Sequence, residues 1–576
     1  MIALKRARVL GALALSFGLV AAACSSDGGD AEVSSGDTAA SETTDGAERA
    51  DNATAGGGGT ITLGAEQEPD CMDWIASCAG ASWGAWTTLY HTMPRSFDFE
   101  MVDGDWAYVP SPLLAGDPEV TEDPQTVTYK LNPEAVWSDG TQITCADFEY
   151  TWDQIATGED IYDPTGYVDI SGIEAKDDTT CVATFSKPYA GWRSLFTGLY
   201  GVLPSHLLDG KDRSALMKDG YEFSGGPFML KEWKKGDSIT LVPNENYWGS
   251  KAKPDEVVWK FVPDTSAYFA AFKAGEVLAI YPQPQIDAIE EINAGLSGAR
   301  EPLVTARTGN LEALWMNNNA FPFDSVPVRQ AFAYSLDRDA VVKRLFGGIG
   351  VDKAVQSLNA PIVGKLADQE AFAGYTKDLD KVDELMTGDG WAKNANGVWE
   401  KGGKTATIEF KTTAGNKRRE LTQQVVQEQA KAAGFEVTIN NQKAGDLFGQ
   451  QLPAGDFQLA LYAQVLTNLE PGPSSCSIFC SKNIPSDANG NAGQNWTRTD
   501  IPELDTQLEL IDTSVDVTKR GAATKAADKL EAENMVSLPL DPLPTIGLVS
   551  EKIQAPEISD NAILSVFWNL ADWSVN

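Results

Sequence analysis

The sequence predicts a mixed α/β protein with at least two lobes, and three observations carry that prediction. The chain has 576 residues, which at about 100–200 residues per domain calls for two or more lobes, each able to bury a sizeable core. Hydrophobic residues make up 43% and aromatics 9%, the composition of a chain that folds rather than one that stays disordered throughout. After Gly59, stretches that alternate apolar and polar residues are interleaved with stretches of helical spacing. No internal repeat is visible.

Taken in chain order, segment 1–23 carries Lys5, Arg6 and Arg8 and then an apolar run from Val9 to Ala23. That is the order of a secretory signal peptide, too short for a membrane-spanning helix. Segment 24–59 starts at Cys24, contains no aromatic residue and closes on four glycines. It cannot bury a core and reads as an acidic, flexible tether. The alternation of Thr60-Ile61-Thr62-Leu63 opens the folded body as a strand. Val127, Tyr129 and Leu131 predict a second strand, 146–155 a helix entered through Thr144, and 180–185 another strand. Ile239 with Leu241, and then 257–261, mark two more strands, followed by a helix over 266–274. Asp324 and Ser325 can cap a helix starting near Pro327, whose Val328, Ala331, Phe332, Leu336 and Val341 share one face and open a second lobe. A helix over 418–433 and strands over 435–439 and 457–462 follow.

Charge and cysteine usage narrow the setting. The formal net charge is −37, which repels phosphate backbones, so nucleic acid is not an expected partner. His91 and His206 are the only histidines, which excludes a multi-histidine metal centre. Apart from Cys24, six cysteines remain, and their spacing suggests the local pairs Cys71–Cys78 and Cys476–Cys480, leaving Cys145 for Cys181. An even number behind an export signal fits an oxidising exterior. Zinc is the competing reading, but the chain has no Cys-x-x-Cys pair. The segment Asp487-Ala488-Asn489-Gly490-Asn491 hints at calcium, yet Ala492 stands where the turn glycine is required and Arg498 where the terminal carboxylate is. No metal and no cofactor are expected. The chain has no Gly-x-x-x-x-Gly-Lys-Ser/Thr phosphate loop, no Gly-x-Ser-x-Gly elbow and no His-Glu-x-x-His, so no catalytic residue is assigned.

Several segments together resemble the extracytoplasmic solute-binding proteins of ABC importers, in the peptide/nickel-type family that includes oligopeptide-binding proteins. They are Pro112-Leu113-Leu114-Ala115 leading to Thr128-Tyr129-Lys130-Leu131, Val136-Trp137-Ser138-Asp139-Gly140, and Thr144-Cys145-Ala146-Asp147-Phe148. Further on come Gly225-Gly226-Pro227-Phe228, Asn246-Tyr247-Trp248-Gly249, Met316-Asn317-Asn318-Asn319, Val328-Arg329-Gln330-Ala331-Phe332 and Leu336-Asp337-Arg338-Asp339. The similarity covers most of 60–576. Read for themselves, Trp137, Asp139 and Gly140 form a turn packed on a strand, and Arg329 with Asp337 and Asp339 suggests ion pairing. The run Ala21-Ala22-Ala23-Cys24 also resembles a bacterial lipobox, with Ala21 where leucine is usual, which implies lipidation of Cys24 and anchoring to the cell membrane.

The resemblance implies a two-lobed α/β fold of the periplasmic-binding-protein class II type with an additional subdomain in the first lobe. Lobe I is expected over 60–95, 222–312 and 541–576, the subdomain over 96–221 and lobe II over 313–540. The chain should cross between lobes near Leu311–Trp315 and Leu538–Thr545, with 567–573 returning to pack on lobe I. It further implies hinge closure over a small-molecule or peptide ligand and delivery to membrane permease subunits, by a monomer without enzymatic activity. The alternatives are a ligand-sensing lipoprotein that feeds no transporter and a secreted hydrolase.

In that family the loop after the first strand and the end of a late strand of lobe II face the cleft. Here those places hold Glu68, Asp70 and Trp74, then Tyr462, Ala463 and Gln464. Peptide-binding members carry a Trp-x-x-Asp arrangement whose acid pairs with a peptide amine. This chain has Gln464 and Thr467 there, which puts peptide specificity in question, with Glu470 or an acid of the first loop as substitutes. Asn495-Trp496 resembles another cleft-bordering segment. Trp83 and Trp86, three apart, can present one aromatic face to a ligand, although such spacing also suits a core.

Overall fold

Three principal sheets organise the chain in this computed structural model, which describes residues 58–76, 78, 82–158, 161, 164–197, 200–443, 446–465, 469, 473–486, 493–555 and 565–576. The expected signal, Cys24 and the tether up to residue 57 lie outside the described residues. The first sheet has seven strands in the order Leu303–Thr305, Thr545–Val549, Ala279–Ile280, Thr60–Ala65, Glu256–Phe261, Ser238–Pro243 and Phe228–Lys234. Thr60–Ala65 lies in the middle because Ile61, Leu63 and Ala65 are fully buried. It runs parallel to both of its neighbours. Gly64 is required there: a Cβ would lie 2.4 Å from the ring of Tyr268. Tyr268, on the helix Thr265–Ala274, donates its hydroxyl to the Gly64 carbonyl at 2.9 Å.

The second sheet is antiparallel, ordered Glu119–Glu122, Gln125–Lys130, Thr180–Phe185 and Ile170–Asp177. Helix Cys145–Thr157 packs beside it and starts in a capping box between Thr144 and Asp147. Asp147 Oδ2 also accepts from the Trp137 indole at 3.3 Å, and Oδ1 accepts from the Ser205 amide and hydroxyl at 2.8 and 2.7 Å. Gly140 takes the left-handed conformation, φ 87°, that the turn between Trp137 and Thr141 needs. The quoted motif is therefore a folding device. Disulfides join Cys71–Cys78, Cys145–Cys181 and Cys476–Cys480, and the second ties the helix start to the sheet.

The third sheet is ordered Glu436–Ile439, Thr407–Lys411, Leu459–Val465, Asn310–Met316 and Ser537–Asp541. One buried apolar cluster runs continuously through the first two sheets, and another fills the third. The two clusters are largely distinct, although Ala360, Ile362 and Leu469 join the first and Ile289 the second. The C-terminal segment packs on lobe I, with Phe567 edge-on to Trp259 at 4.9 Å and Trp573 fully buried.

The chain changes sheets at 306–309, after Leu303–Thr305, and at 542–544, before Thr545–Val549. Both crossings lie side by side, because the strands flanking them pair within each sheet. The expected boundary at 312–313 falls inside a strand of lobe II, and Leu311–Trp315 are buried in that strand rather than forming the crossing. The apolar run there serves the lobe II core. Arg329 is also not ion-paired to Asp337 or Asp339. It is buried and donates to the carbonyls of Phe323, Asn534 and Met535, closing the end of the helix Val517–Asn534. Asp337 caps the helix Arg338–Phe346, and Asp339 pairs with Lys353.

A buried ionic cluster sits where lobe II meets the crossings. Glu312, fully buried, accepts from Arg418 Nη1, from Arg418 Nη2 at 3.0 Å and from Arg419 Nε at 2.6 Å. Burial alone would raise the Glu312 carboxyl, but the two guanidinium groups outweigh it and hold the carboxyl down at about 2. Asp541 lies opposite Glu312 across the strand pair. Burial first, and then repulsion by Glu312, push it up to about 7. Its Oδ1 accepts from the amide of Leu543 at 3.2 Å, inside the second crossing, where Leu543 is left-handed with φ 43°. Glu312→Gln leaves the buried Arg418 and half-buried Arg419 guanidinium groups without their counter-charge and is expected to cost about 3–5 kcal/mol. Urea unfolding followed by tryptophan fluorescence should show the loss, and an unchanged midpoint would contradict it.

Candidate functional site

The three parallel strands of lobe I end at Ala65, Phe261 and Ile280, and both crossings leave the sheet at that same end. Ligands of α/β sheets bind outside the carboxyl ends of parallel strands. That rule points to the edge next to the crossings in both lobes.

On the lobe I side, Glu66 directly follows the central strand. Its Oε1 accepts from the amide of Gln283 at 3.2 Å. Burial, only partly offset by that hydrogen bond, lifts its carboxyl to about 7. Tyr281, two residues before Gln283, lies 5.2 Å from Trp86 and 6.2 Å from Trp83, and the two indoles meet edge-on at 5.3 Å. Trp83 is buried and Trp86 half-buried. The two tryptophans thus share one cluster, and Trp86 is the member with more open surface.

The three acids and indoles expected from the first loop divide. Glu68 accepts from the Trp233 indole at 2.8 Å and from the Gly236 amide at 2.8 Å, which fastens the hairpin between Phe228–Lys234 and Ser238–Pro243. Asp70 is exposed. Trp74 is buried edge-on against Tyr221 at 5.3 Å, with no hydrogen-bond partner for its indole nitrogen. The neighbouring Asp73 is committed to a buried ion pair with Arg213 at 3.0 Å.

In lobe II, Tyr462 and Gln464 are two apart on the strand Leu459–Val465 and so share a face, opposite Ala313 and Leu311. Tyr462 is buried and stacks on Trp315 at 5.1 Å and 18°. The Trp315 indole donates to the Tyr462 carbonyl at 2.8 Å. Phe448 and Trp496 approach Tyr462 at 5.6 and 5.7 Å. Burial raises the Tyr462 phenol far above its ordinary value, so it stays neutral. Trp496 is half-buried and its indole nitrogen has no hydrogen-bond partner. Gln464 is half-buried at the crossing end of the strand. Asn495 is fully buried. Its amide donates to the carbonyls of Phe479, Cys480 and Thr499 at 2.8–3.1 Å, and its oxygen accepts from Thr497 and Thr499 at 3.0 Å. That side chain holds together the loop beside the Cys476–Cys480 disulfide. Thr467, Glu470 and 487–491 lie outside the described residues.

Glu66, Tyr281, Trp315 and Phe448 were not singled out from the sequence. For Glu66 a signal existed, an acid immediately after an alternating strand, but Glu68 and Asp70 offer the same residue type on the same loop. Among the described residues, no group of three His, Cys, Asp or Glu side chains could hold a metal ion, and no helix is long and apolar enough to cross a membrane. A separate recess between lobe I and the subdomain, lined by Tyr90, Arg95, Asp98, Tyr247, Trp248 and Trp568 among others, shares no residue with either cluster.

Two lobes are joined by paired crossings, with aromatic and polar side chains beside the crossings in each. Residues 109–486 match the family model of bacterial extracellular solute-binding proteins, family 5, and the chain belongs to that family. Its members are transport binding proteins and not enzymes. The chain is 24% identical over 450 residues to the oligopeptide-binding protein AppA of Bacillus subtilis, covering 75% of this chain and 78% of that one. Among solved structures it resembles the periplasmic EDTA-binding protein EppA, with a TM-score of 0.77, 23% identity and 91% and 97% of the two chains covered. It also resembles NikZ of Campylobacter jejuni in complex with Ni(L-His), with a TM-score of 0.69, 20% identity and 89% and 99% covered.

Support and contact residues should separate in a stability assay. Asn495→Ala orphans buried backbone groups and is expected to cost about 2 kcal/mol or more, whereas Gln464→Ala should stay within about 0.5 kcal/mol of the parent. Thermal melts of both variants check this, and equal losses would contradict the assignment.

Proposed function

We propose that the protein captures a small organic solute between its lobes and hands it to the permease of an ABC importer. In this reading it works as a monomer outside the cytoplasm, held to the cell membrane by a lipid on Cys24. Family membership supports the transport role. The single observation that carries the capture mechanism is the placement of two half-sites, one per lobe, beside the paired crossings at 306–309 and 542–544. Each half alone offers an incomplete set of contacts, so a solute that touches both favours the closed arrangement over the open one. Trp83, Trp86, Tyr281 and Glu66 form the lobe I half, and Tyr462, Gln464 and Trp496 the lobe II half. Asp70 and Trp74 flank the first. Glu68 and Asn495 shape the loops that carry these groups.

The solute class is open within the family, since relatives are named for oligopeptides, EDTA and Ni(L-His). Native mass spectrometry of protein purified gently from its host, followed by denaturation, is expected to release one solute or a peptide ladder. Uptake of that solute should fall in a deletion strain and return with the wild-type chain, while Cys24→Ala should leave the membrane fraction. Unchanged uptake in the deletion strain would favour the sensing lipoprotein, and turnover of the solute would contradict the binding role.

A further inference from the structure

Glu66 differs from the other acids discussed in lobe I. Asp73 pairs with Arg213 inside the protein, and Glu68 accepts hydrogen bonds from Trp233 and Gly236. Glu66 has one backbone donor, Gln283, and no described lysine, arginine or histidine pairs with it. Glu66 is half-buried, and its second oxygen is left open to a cation or a donor that would complete the carboxylate. Among the described residues nothing else completes it, and its free oxygen can take a donor from a bound solute at the carboxyl end of the central strand.

The surroundings narrow its chemistry. The backbone segment that binds Glu66 also carries Tyr281, whose ring contacts Trp86 and Trp83. Electron-rich ring faces attract cations, and a carboxylate beside such rings is the usual combination for holding an ammonium group. The described lobe II residues of the proposed site, Tyr462, Gln464 and Trp496, are neutral, and among the described residues of that site the charge is supplied by lobe I.

We propose that the solute carries a cationic amine, with Glu66 as its counter-charge and the rings of Trp86 and Tyr281 as the wall beside it. This rests on the capture reading above and goes further by naming the chemical class and the lobe that reads it. The acceptor lies in lobe I, on the loop after the first strand, and not at the lobe II position held here by Thr467.

Proton linkage follows. Without a cation, burial keeps the Glu66 carboxyl near 7. The titratable groups facing it are Tyr268 on the helix Thr265–Ala274 and Tyr281 after the strand Ala279–Ile280, and burial keeps both phenols neutral at physiological pH. A bound ammonium favours the ionised carboxylate, so binding near pH 7 expels a fraction of a proton, and affinity falls as pH drops from 8 to 5.5, approaching about tenfold per unit at the acid end.

Isothermal titration of the full-length, solute-stripped protein tests this. The probes are choline, putrescine and trialanine, each against its amine-free counterpart: 3,3-dimethylbutan-1-ol, butane-1,4-diol and N-acetyltrialanine. At least one amine should bind tenfold or more tighter than its counterpart and release about half a proton at pH 7. Glu66→Gln should weaken it at least tenfold and abolish the proton release, and Trp86→Leu should weaken it while leaving the proton release in place. Thermal melts of both variants confirm that they are folded, and the proton count on the wild type stands whether or not they are. Equal binding of an amine and its counterpart, an unaffected Glu66→Gln variant, or no binding by any of the three amines overturns the assignment. A neutral or anionic solute found copurified by native mass spectrometry would overturn it too, while leaving interlobe capture intact.

Discussion

The paired crossing between lobes depends on one buried ionic cluster. Glu312 is the third residue of the strand that enters lobe II, Asp541 is the last residue of the strand that leaves it, and the two face each other across the sheet. Two acids in register repel, and Arg418 and Arg419 from the helix Lys417–Ala432 resolve the repulsion by neutralising Glu312. Asp541 is left to hold the amide of Leu543. The lobe II ends of both crossings are thereby tied to one buried cluster, with only 306–309 and 542–544 between the two sheets. Arg307, within the first crossing, pairs with Asp105 at 2.8 Å, so the subdomain hairpin rests on the same region. On the outer surface Lys417 reaches Asp287 of lobe I at 3.3 Å. That exposed pair adds little to stability, but it bridges the lobes and can form or break without disturbing either core.

From that constraint the site follows. A hinge anchored beside the carboxyl ends of the lobe I strands places Glu66 and the Trp83–Trp86–Tyr281 cluster on one side of the crossings. It places the crossing end of the Leu459–Val465 strand, with Tyr462 and Gln464, on the other. Both aromatic clusters are built on packed elements, and the Cys476–Cys480 disulfide holds the loop whose Phe479 lies 6.2 Å from Trp315 of the second. Rigid half-sites on a narrow hinge are what a binding protein needs if solute affinity is to become a change of shape.

Much of the fold was legible from local pattern. The alternation at Thr60–Leu63, the capping pair Thr144 and Asp147, and the short cysteine spacings each report a local physical requirement, and each corresponds to an observed element. What escaped depends on contacts distant in the chain. Glu66 and Glu68 are indistinguishable by residue type and loop position. Only the hairpin folding back through Gly236, 168 residues on, gives Glu68 a structural partner, while Glu66 accepts from the Gln283 amide. Arg329 looked like an ion-pair partner for nearby acids because the helix end it closes lies about 200 residues away. The crossing was placed a few residues late because Leu311–Trp315 reads as an apolar run, and nothing in such a run says which sheet it joins. Asn495 drew notice as an asparagine beside a tryptophan, while the carbonyls it satisfies become neighbours only when the disulfide loop closes.

The measurement that tests the account most directly is small-angle X-ray scattering of the protein with its copurified solute bound and after that solute is stripped by reversible unfolding. Closure about the two crossings requires a smaller radius of gyration with solute and a return to the same value when the solute is added back. Identical scattering from the bound and stripped protein, with binding confirmed in the same samples, would contradict capture by closure of the lobes.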